Sequence, residues 1–225
     1  MNVFFFSGSG HSKAVARFFA EKLECEAIST ENTPPPHGET AVIVFPVYCE
    51  AVPPPVRHFL KKLRTRYAVL IATYGGICPG NALYEAQKLT HGTVIAAAAV
   101  PAGHTFLGEV PAFDPAPLVP VFSRIETPAP AHIPKRKTHL FSRWFPALRS
   151  RIGVRLLRTD ACNSCGTCNG VCPMHSMKNG RPGTRCIRCL KCVNSCPQRA
   201  LHVRVRPFLR RWLIARRDAK SYVYL

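Results

Sequence analysis

Eight cysteines near the end of this 225-residue chain share one spacing. The first group reads CNSCGTCNGVCP over 162–173, and the second reads CIRCLKCVNSCP over 186–197. Each follows the pattern C-x2-C-x2-C-x3-C-P, in which three cysteines crowd onto one loop and a fourth follows. Thiolate sulfur is a soft ligand, and four thiolates suit either zinc or an iron–sulfur cluster. The pattern therefore indicates metal chemistry, with disulfides as a further alternative.

The spacing separates these alternatives. Zinc ribbons use two C-x2-C pairs per metal, whereas a cysteine triplet favours a [4Fe–4S] cluster. In bacterial runs of this form the fourth cysteine ligates the other cluster. We therefore expect two interleaved ligand sets, the first of Cys162, Cys165, Cys168 and Cys196 and the second of Cys186, Cys189, Cys192 and Cys172. The motif resembles that of the two-cluster bacterial ferredoxins.

A second constellation lies near the N-terminus, in FFFSGSGHSKAVARFF over 4–19. Small and hydroxyl residues form a turn between a predicted strand and a predicted helix: Ser7, Gly8, Ser9, Gly10, His11 and Ser12. Hydroxyls and the unpaired amides of a helix N-terminus favour a phosphate. The turn matches neither G-x-G-x-x-G nor the Walker loop. A capped turn without a ligand is the alternative.

Two further loops follow predicted strands. FPVYCE contains Pro46, Val47 and Tyr48, and TYGGICPG contains Thr73, Tyr74, Gly75 and Gly76. Ligands bind at the carboxyl ends of strands in open α/β sheets. Two tyrosines beside a flat heterocycle, together with the phosphate turn, describe an FMN site. We interpret Cys49 and Cys78 in these loops as apolar filler rather than redox groups.

Alternating strand and helix patterns position these loops. The predicted strands are Asn2–Phe6, Glu26–Ser29, Ala41–Val47, Tyr67–Thr73 and Thr93–Val100, and the predicted helices are Ser12–Leu23, Val56–Leu63 and Asn81–Leu89. Such alternation predicts a doubly wound parallel sheet. Eight prolines over 111–150 oppose a long helix there. We therefore expect no helix after the fifth strand, with the linker or the cysteine-rich domain covering that sheet face.

Four regions follow from these patterns. We expect an FMN-binding domain over 1–110, a proline-rich linker or wrapping segment over 111–155, a small α+β domain with two [4Fe–4S] clusters over 156–203, and a basic tail over 204–225.

Residues 2–110 resemble flavodoxin, whose phosphate loop reads S/T-x-S/T-G-x-S/T and whose flavin-ring loops the PVY and TYGG stretches match. His11 occupies a position usually held by Asn. The whole chain is similar to flavodoxin–ferredoxin fusions. This resemblance implies bound FMN, a flavodoxin-like sheet and electron transfer.

The positive charge is concentrated in the cysteine-rich half. Residues 151–225 carry sixteen Lys and Arg against two Asp and Glu, whereas 1–110 carry nine against eight. We expect an acidic redox protein or enzyme as partner, and clusters less reducing than those of acidic ferredoxins. Arginines among Phe208, Leu209, Trp212 and Leu213 could instead lie on anionic lipid, or belong to a helix packed on the small domain. No nucleic-acid motif accompanies the charge.

The function that these features favour is an electron-transfer flavoprotein, acting as a carrier or as a reductase component. The alternative is an iron–sulfur redox sensor or interaction protein whose α/β domain binds no flavin. An oxidoreductase with its own substrate would need a pocket that the sequence does not identify. No signal peptide or membrane span is evident, so a cytoplasmic location is expected.

Overall fold

The computed structural model describes residues 1–31, 33, 37–108, 113–136, 151–217 and 219–225. Its largest sheet is mixed and has six strands: β1 (Asn2–Phe5), β2 (Ala27–Ser29), β3 (His37–Pro46), β4 (Arg64–Tyr74), β5 (Thr93–Pro101) and β10 (Tyr222–Tyr224). Their order across the sheet is β10-β5-β4-β3-β1-β2. Strands β1 to β5 are mutually parallel, and β10 runs antiparallel on the β5 edge. The α/β class and the five predicted strands are confirmed.

Helices cover both faces of this sheet. They are α1 (His11–Lys22), α2 (Pro54–Lys62), α3 (Ala82–Leu89) and α4 (Val119–Glu126). On one face α2 and α3 bury Phe59, Leu60 and Leu83 against the sheet, and on the other α1 buries Phe19. The three predicted helices are confirmed, because their apolar residues recur at helical spacing. Burial on both faces explains why β3, β4 and β5 are almost continuously apolar.

The expected absence of a helix after the fifth strand is wrong. Helix α4 lies in the proline-rich stretch and covers the same face as α1, burying Val121, while Phe122 stacks on Phe19 with ring centroids 5.1 Å apart. Pro120 is tolerated because it sits in the first helical turn, where its missing N–H would have no partner. The cover therefore comes from the linker, as one of the two expectations held. Residues 111–112 and 137–150 of the linker lie outside the described part of the chain.

The C-terminal segment is not a separate tail. Helix α7 (Pro207–Ala215) leads to β10, which pairs Val223 with Ala98 on β5. The pairing satisfies backbone groups along the described edge of β5. A three-residue strand carries too short a pattern to be recognised from sequence. The last residues of the chain consequently complete the sheet that its first residues begin.

The cysteine-rich region forms a small α+β unit. Its elements are β6 (Val154–Arg158), α5 (Thr167–Gly170), β7 (Met177–Lys178), β8 (Arg181–Pro182), α6 (Lys191–Asn194) and β9 (Leu201–Val205). Strands β6 and β9 pair antiparallel, and so do β7 and β8. Its small core contains Met177 and Leu201 together with cysteine side chains. In the part of the chain described, no helix is long and apolar enough to cross a membrane.

Candidate cofactor sites

The eight motif cysteines line two separate cavities, four to each. Cys162, Cys165, Cys168 and Cys196 line one, and Cys172, Cys186, Cys189 and Cys192 line the other. We call these sets the first quartet and the second quartet. Each triplet is joined by the fourth cysteine of the other run, which is the interleaved grouping expected from the spacing. A grouping in which each run completes its own set matches neither cavity.

The two triplets adopt the same backbone conformation. Ser164 and Arg188 occupy equivalent positions with φ of 60° and 57°, and Gly166 and Leu190 follow with 78° and 62°. These left-handed residues curl each loop twice within seven residues. Positive φ is unfavourable for Ser, Arg and Leu, so each loop keeps this shape at a local cost in free energy. Such strain is typical of a ligand-binding loop.

The fourth cysteine of each run accepts a backbone hydrogen bond on sulfur. The N–H of Ser176 donates to Sγ of Cys172, and the N–H of Ala200 donates to Sγ of Cys196, each at 3.3 Å. These donors stabilise negative charge on the sulfur. Hydrogen bonds to ligand sulfurs are one means by which proteins tune cluster potentials.

The quartets differ in burial. All four cysteines of the second quartet are buried, whereas Cys165 of the first quartet is exposed and its three companions are half-buried. Burial, with the negative charge of neighbouring thiolates, raises the pKa of Cys189 to about 11 and that of Cys192 to about 12. A hydrogen bond with Thr167 lowers the pKa of Cys165. Thiolates of the second quartet therefore need compensating positive charge.

The donor chemistry fits [4Fe–4S] clusters. Within the described ranges, no three His, Cys, Asp or Glu residues are grouped so as to hold a single metal ion. Four cysteines around one cavity supply the usual all-thiolate ligand set. The cationic core would also offset the clustered thiolate charge.

A large cavity, about 190 Å³, lies at the carboxyl ends of the parallel strands. Eight of the predicted FMN residues line it: Ser9, His11, Pro46, Val47, Tyr48, Thr73, Tyr74 and Gly75. The lining includes both tyrosines and is mainly apolar, which suits a planar aromatic ring. Cys49 and Cys78, which we interpreted as apolar filler, also line it, as does His104.

The remaining predicted residues lie beside the cavity and not on its wall. Ser7 Oγ accepts a hydrogen bond from the N–H of Gly10 at 3.0 Å. The hydroxyls of Ser12 and Thr73 are buried 2.8 Å apart. Gly8 contacts the cysteine-rich unit, and Gly76 lies near Ala219. The local polar groups of this turn thus bond partly to each other.

His11 does not supply positive charge to the turn at neutral pH. Burial lowers the pKa of His11, so its ring is neutral. Its Nδ1 lies 3.3 Å from Oγ of Ser9, which in turn accepts a hydrogen bond from Thr105. A phosphate here would depend on neutral donors and the amides at the start of α1.

Helix α7 covers the large cavity. Leu209, Trp212 and Leu213 line it, and Leu209 packs against Gly153. The sequence analysis assigned these residues to a tail. They lie more than a hundred residues after the tyrosine loops, and no local pattern indicates that the two regions pack together. Leu213 is buried, whereas Phe208 and Ile214 are exposed. Trp212 is 40% exposed, so α7 forms part of the cavity wall and leaves the cavity partly open.

Arg188 brings a cation to the same cavity. Its Nε donates to the carbonyl oxygen of Val154 at 3.2 Å, while Nη1 is buried without a hydrogen-bond partner among the described residues. A buried, unpaired guanidinium N–H is costly unless a ligand accepts it. Arg188 is therefore suited to an anionic or carbonyl-bearing ligand. Its position between Cys186 and Cys189 gave no sequence signal for this.

The cysteine-rich unit contacts the phosphate turn directly. A Cβ atom on Gly8 would lie 2.8 Å from Oη of Tyr48 and would overlap the carbonyl oxygen of Cys189. Asn194 Nδ2 donates to the carbonyl oxygen of Gly8 at 3.2 Å, and Lys191 forms an ion pair with Glu31. Ile187 lines both the second-quartet cavity and the large cavity. The two candidate sites therefore share a wall.

Comparison of the chain with protein-family models, with curated proteins and with solved structures found no match.

Proposed function

We propose that the chain is an electron-transfer flavoprotein that relays electrons between two [4Fe–4S] clusters and FMN. The observation that carries the proposal is the position of Ile187. It follows Cys186 of the second quartet and lines both that cavity and the large one. Redox groups held in two cavities that share a wall residue can exchange electrons without a separate docking step.

The strand order supports an FMN-binding, flavodoxin-like domain. Without the antiparallel β10, the order is 2-1-3-4-5, which is the flavodoxin-like form of the doubly wound sheet. Its ligand crevice lies outside the carboxyl ends of the strands, where the large cavity is found. The paired triplets likewise support a ferredoxin-like second domain. Both assignments are part of the proposal.

The chain's own residues set the geometry of the relay. When bound, each cluster exchanges one electron at a time, and FMN exchanges one or two. The half-buried first quartet is the outer site, and the buried second quartet is the inner one. Tyr48 and Tyr74 would flank a bound flavin, α7 would cover part of it, and Arg188 would place positive charge beside it. The covalent connection keeps the sites at high effective concentration.

Cofactor content tests the proposal. Protein purified anaerobically and reconstituted with iron, sulfide and FMN is analysed for all three and by absorption spectroscopy. We expect about eight iron atoms and about one FMN per chain. Iron and sulfide at that ratio without FMN would instead support a redox sensor or interaction protein. Colourless protein containing zinc would contradict both functions.

A further inference from the structure

The first quartet lies at the surface, at the end of the proposed relay away from the flavin cavity. Cys165 is exposed, and the cavity is lined by uncharged residues that include Asn179, Gly180 and Gln198. None of these residues lines the large cavity. If electrons pass through both quartets, their external partner must approach this surface.

Basic side chains flank that opening. Lys178 and Arg181 border the Asn179–Gly180 turn, and Arg199 follows Gln198; all three are exposed. None forms an ion pair with any residue in the described ranges. Arg158 contributes a fourth charge, and its Nη1 donates to the carbonyl oxygen of Asn179 at 3.1 Å. We call these four residues the basic ring.

Little negative charge opposes the basic ring. Asp160 is the one acidic residue between 151 and 217. No Phe, Tyr or Trp occurs between 151 and 207, so this stretch itself supplies none of the aromatic side chains on which single-stranded nucleic acids stack. The exposed Phe208 and Ile214 lie on α7, a different element. The ring therefore presents charge with few apolar or stacking groups.

We propose that the basic ring is the docking surface for an acidic electron-transfer protein, which exchanges electrons with the first quartet. This inference rests on the proposed function. Complementary charge steers diffusional encounter and fixes the orientation of the partner. An acidic patch around the partner's redox centre would bring that centre close to Cys165. The interaction weakens as salt concentration rises.

The test uses an acidic two-cluster ferredoxin as the probe. Its Kd and association rate are measured at several salt concentrations against wild-type protein and against the triple variant K178E/R181E/R199E. The matched control R206E/R210E/R211E makes the same change in net charge around α7, where these arginines are exposed. We expect the ring variant to lose at least about tenfold more affinity than the control, with a shallower salt dependence. The milder variant K178Q/R181Q/R199Q should give a smaller loss in the same direction.

Four results would overturn the docking surface. Equal losses in both triple variants would mean that only net charge matters, and a larger loss in the control would place the partner on α7. Tight binding to anionic vesicles or DNA that the ring variant abolishes, without ferredoxin binding, would identify another kind of partner. Iron and FMN contents, and cluster reduction by neutral photoreduced 5-deazariboflavin, are measured on the same samples. Normal values there with unchanged ferredoxin binding would reject the docking surface and leave the proposed function intact.

Discussion

Gly8 packs directly against Cys189. A Cβ atom on Gly8 would overlap the carbonyl oxygen of Cys189 and lie 2.9 Å from its Cβ. A residue of the predicted phosphate turn thus contacts a residue of the second quartet, although they lie 181 positions apart in the sequence. Only glycine permits this approach, so the distance between the two candidate redox sites depends on it.

Replacing Gly8 with Ala should separate the two units. The new methyl group meets backbone atoms that cannot rotate away, and overpacking of this kind costs about 1–3 kcal/mol. We expect a lower free energy of unfolding and slower flavin reduction from the clusters, measured by chemical unfolding and stopped-flow absorption. Gly38→Ala is the control, because the nearest atom to its new Cβ lies 3.9 Å away. Equal behaviour of the two variants would contradict the close contact.

The interleaved quartets predict how paired cysteine substitutions behave. Cys162 and Cys196 line the same cavity, so C162S/C196S should leave the second quartet intact. C162S/C172S removes one ligand from each quartet and should leave none intact. Electron paramagnetic resonance of the dithionite-reduced proteins should detect one [4Fe–4S] cluster in the first variant and none in the second. Sequential ligand sets would give the reverse result.

Arg188→Gln should weaken flavin binding and lower the flavin potential. The guanidinium lines the cavity and has an unpaired Nη1, and a nearby positive charge stabilises the more negative, reduced flavin. A unit charge at about 10 Å contributes roughly 0.4–1.7 kcal/mol, equivalent to roughly 20–70 mV. Redox titration and FMN fluorescence titration measure both effects. The exposed Arg210 provides the control R210Q, and equal shifts in the two variants would contradict a local role for Arg188.

Trp212→Ala should open the large cavity, the proposed flavin site, further to water. Trp212 lines this cavity and is 40% exposed, whereas Phe208 of the same helix is 57% exposed and does not line it. We expect iodide to quench flavin fluorescence more strongly in W212A than in wild-type protein, because part of the cover is removed. F208A should match wild type. Identical quenching in W212A and F208A would show that α7 does not shield the flavin.

Local sequence patterns were sufficient to predict the buried strands, which are continuous apolar runs, and the two cysteine quartets, which repeat one spacing. The strands around Ile43 and Leu70 are apolar on both faces. This pattern is typical of a parallel sheet that is covered by helices on both sides. The cysteine spacing likewise predicted which four side chains share each cavity. In both cases the residues that identify the feature are also those that build it.

Long-range packing limited the remaining predictions. Helix α4 is short and contains proline, and its position became evident only from Val121 and Phe122 against α1. Strand β10 depends on the open edge of β5, and Trp212 depends on the return of α7 to the tyrosine loops. Ile187 and Arg188 resemble loop filler between ligands. Both residues line the large cavity together with the tyrosine loops, which lie more than a hundred residues away in the sequence. The sequence around 187 and 188 therefore gives no sign of this position.

The most direct test of the relay is a single-turnover reduction followed by stopped-flow absorption. Anaerobic protein containing both clusters and FMN is mixed with dithionite, and C172S/C192S, which lacks two ligands of the second quartet, is compared with it. We predict that the clusters of wild-type protein bleach first and the flavin follows, whereas in the variant the flavin lags far behind the first cluster. A flavin that stays oxidised for minutes in wild-type protein, or is reduced equally fast in the variant, would contradict electron transfer through the second quartet.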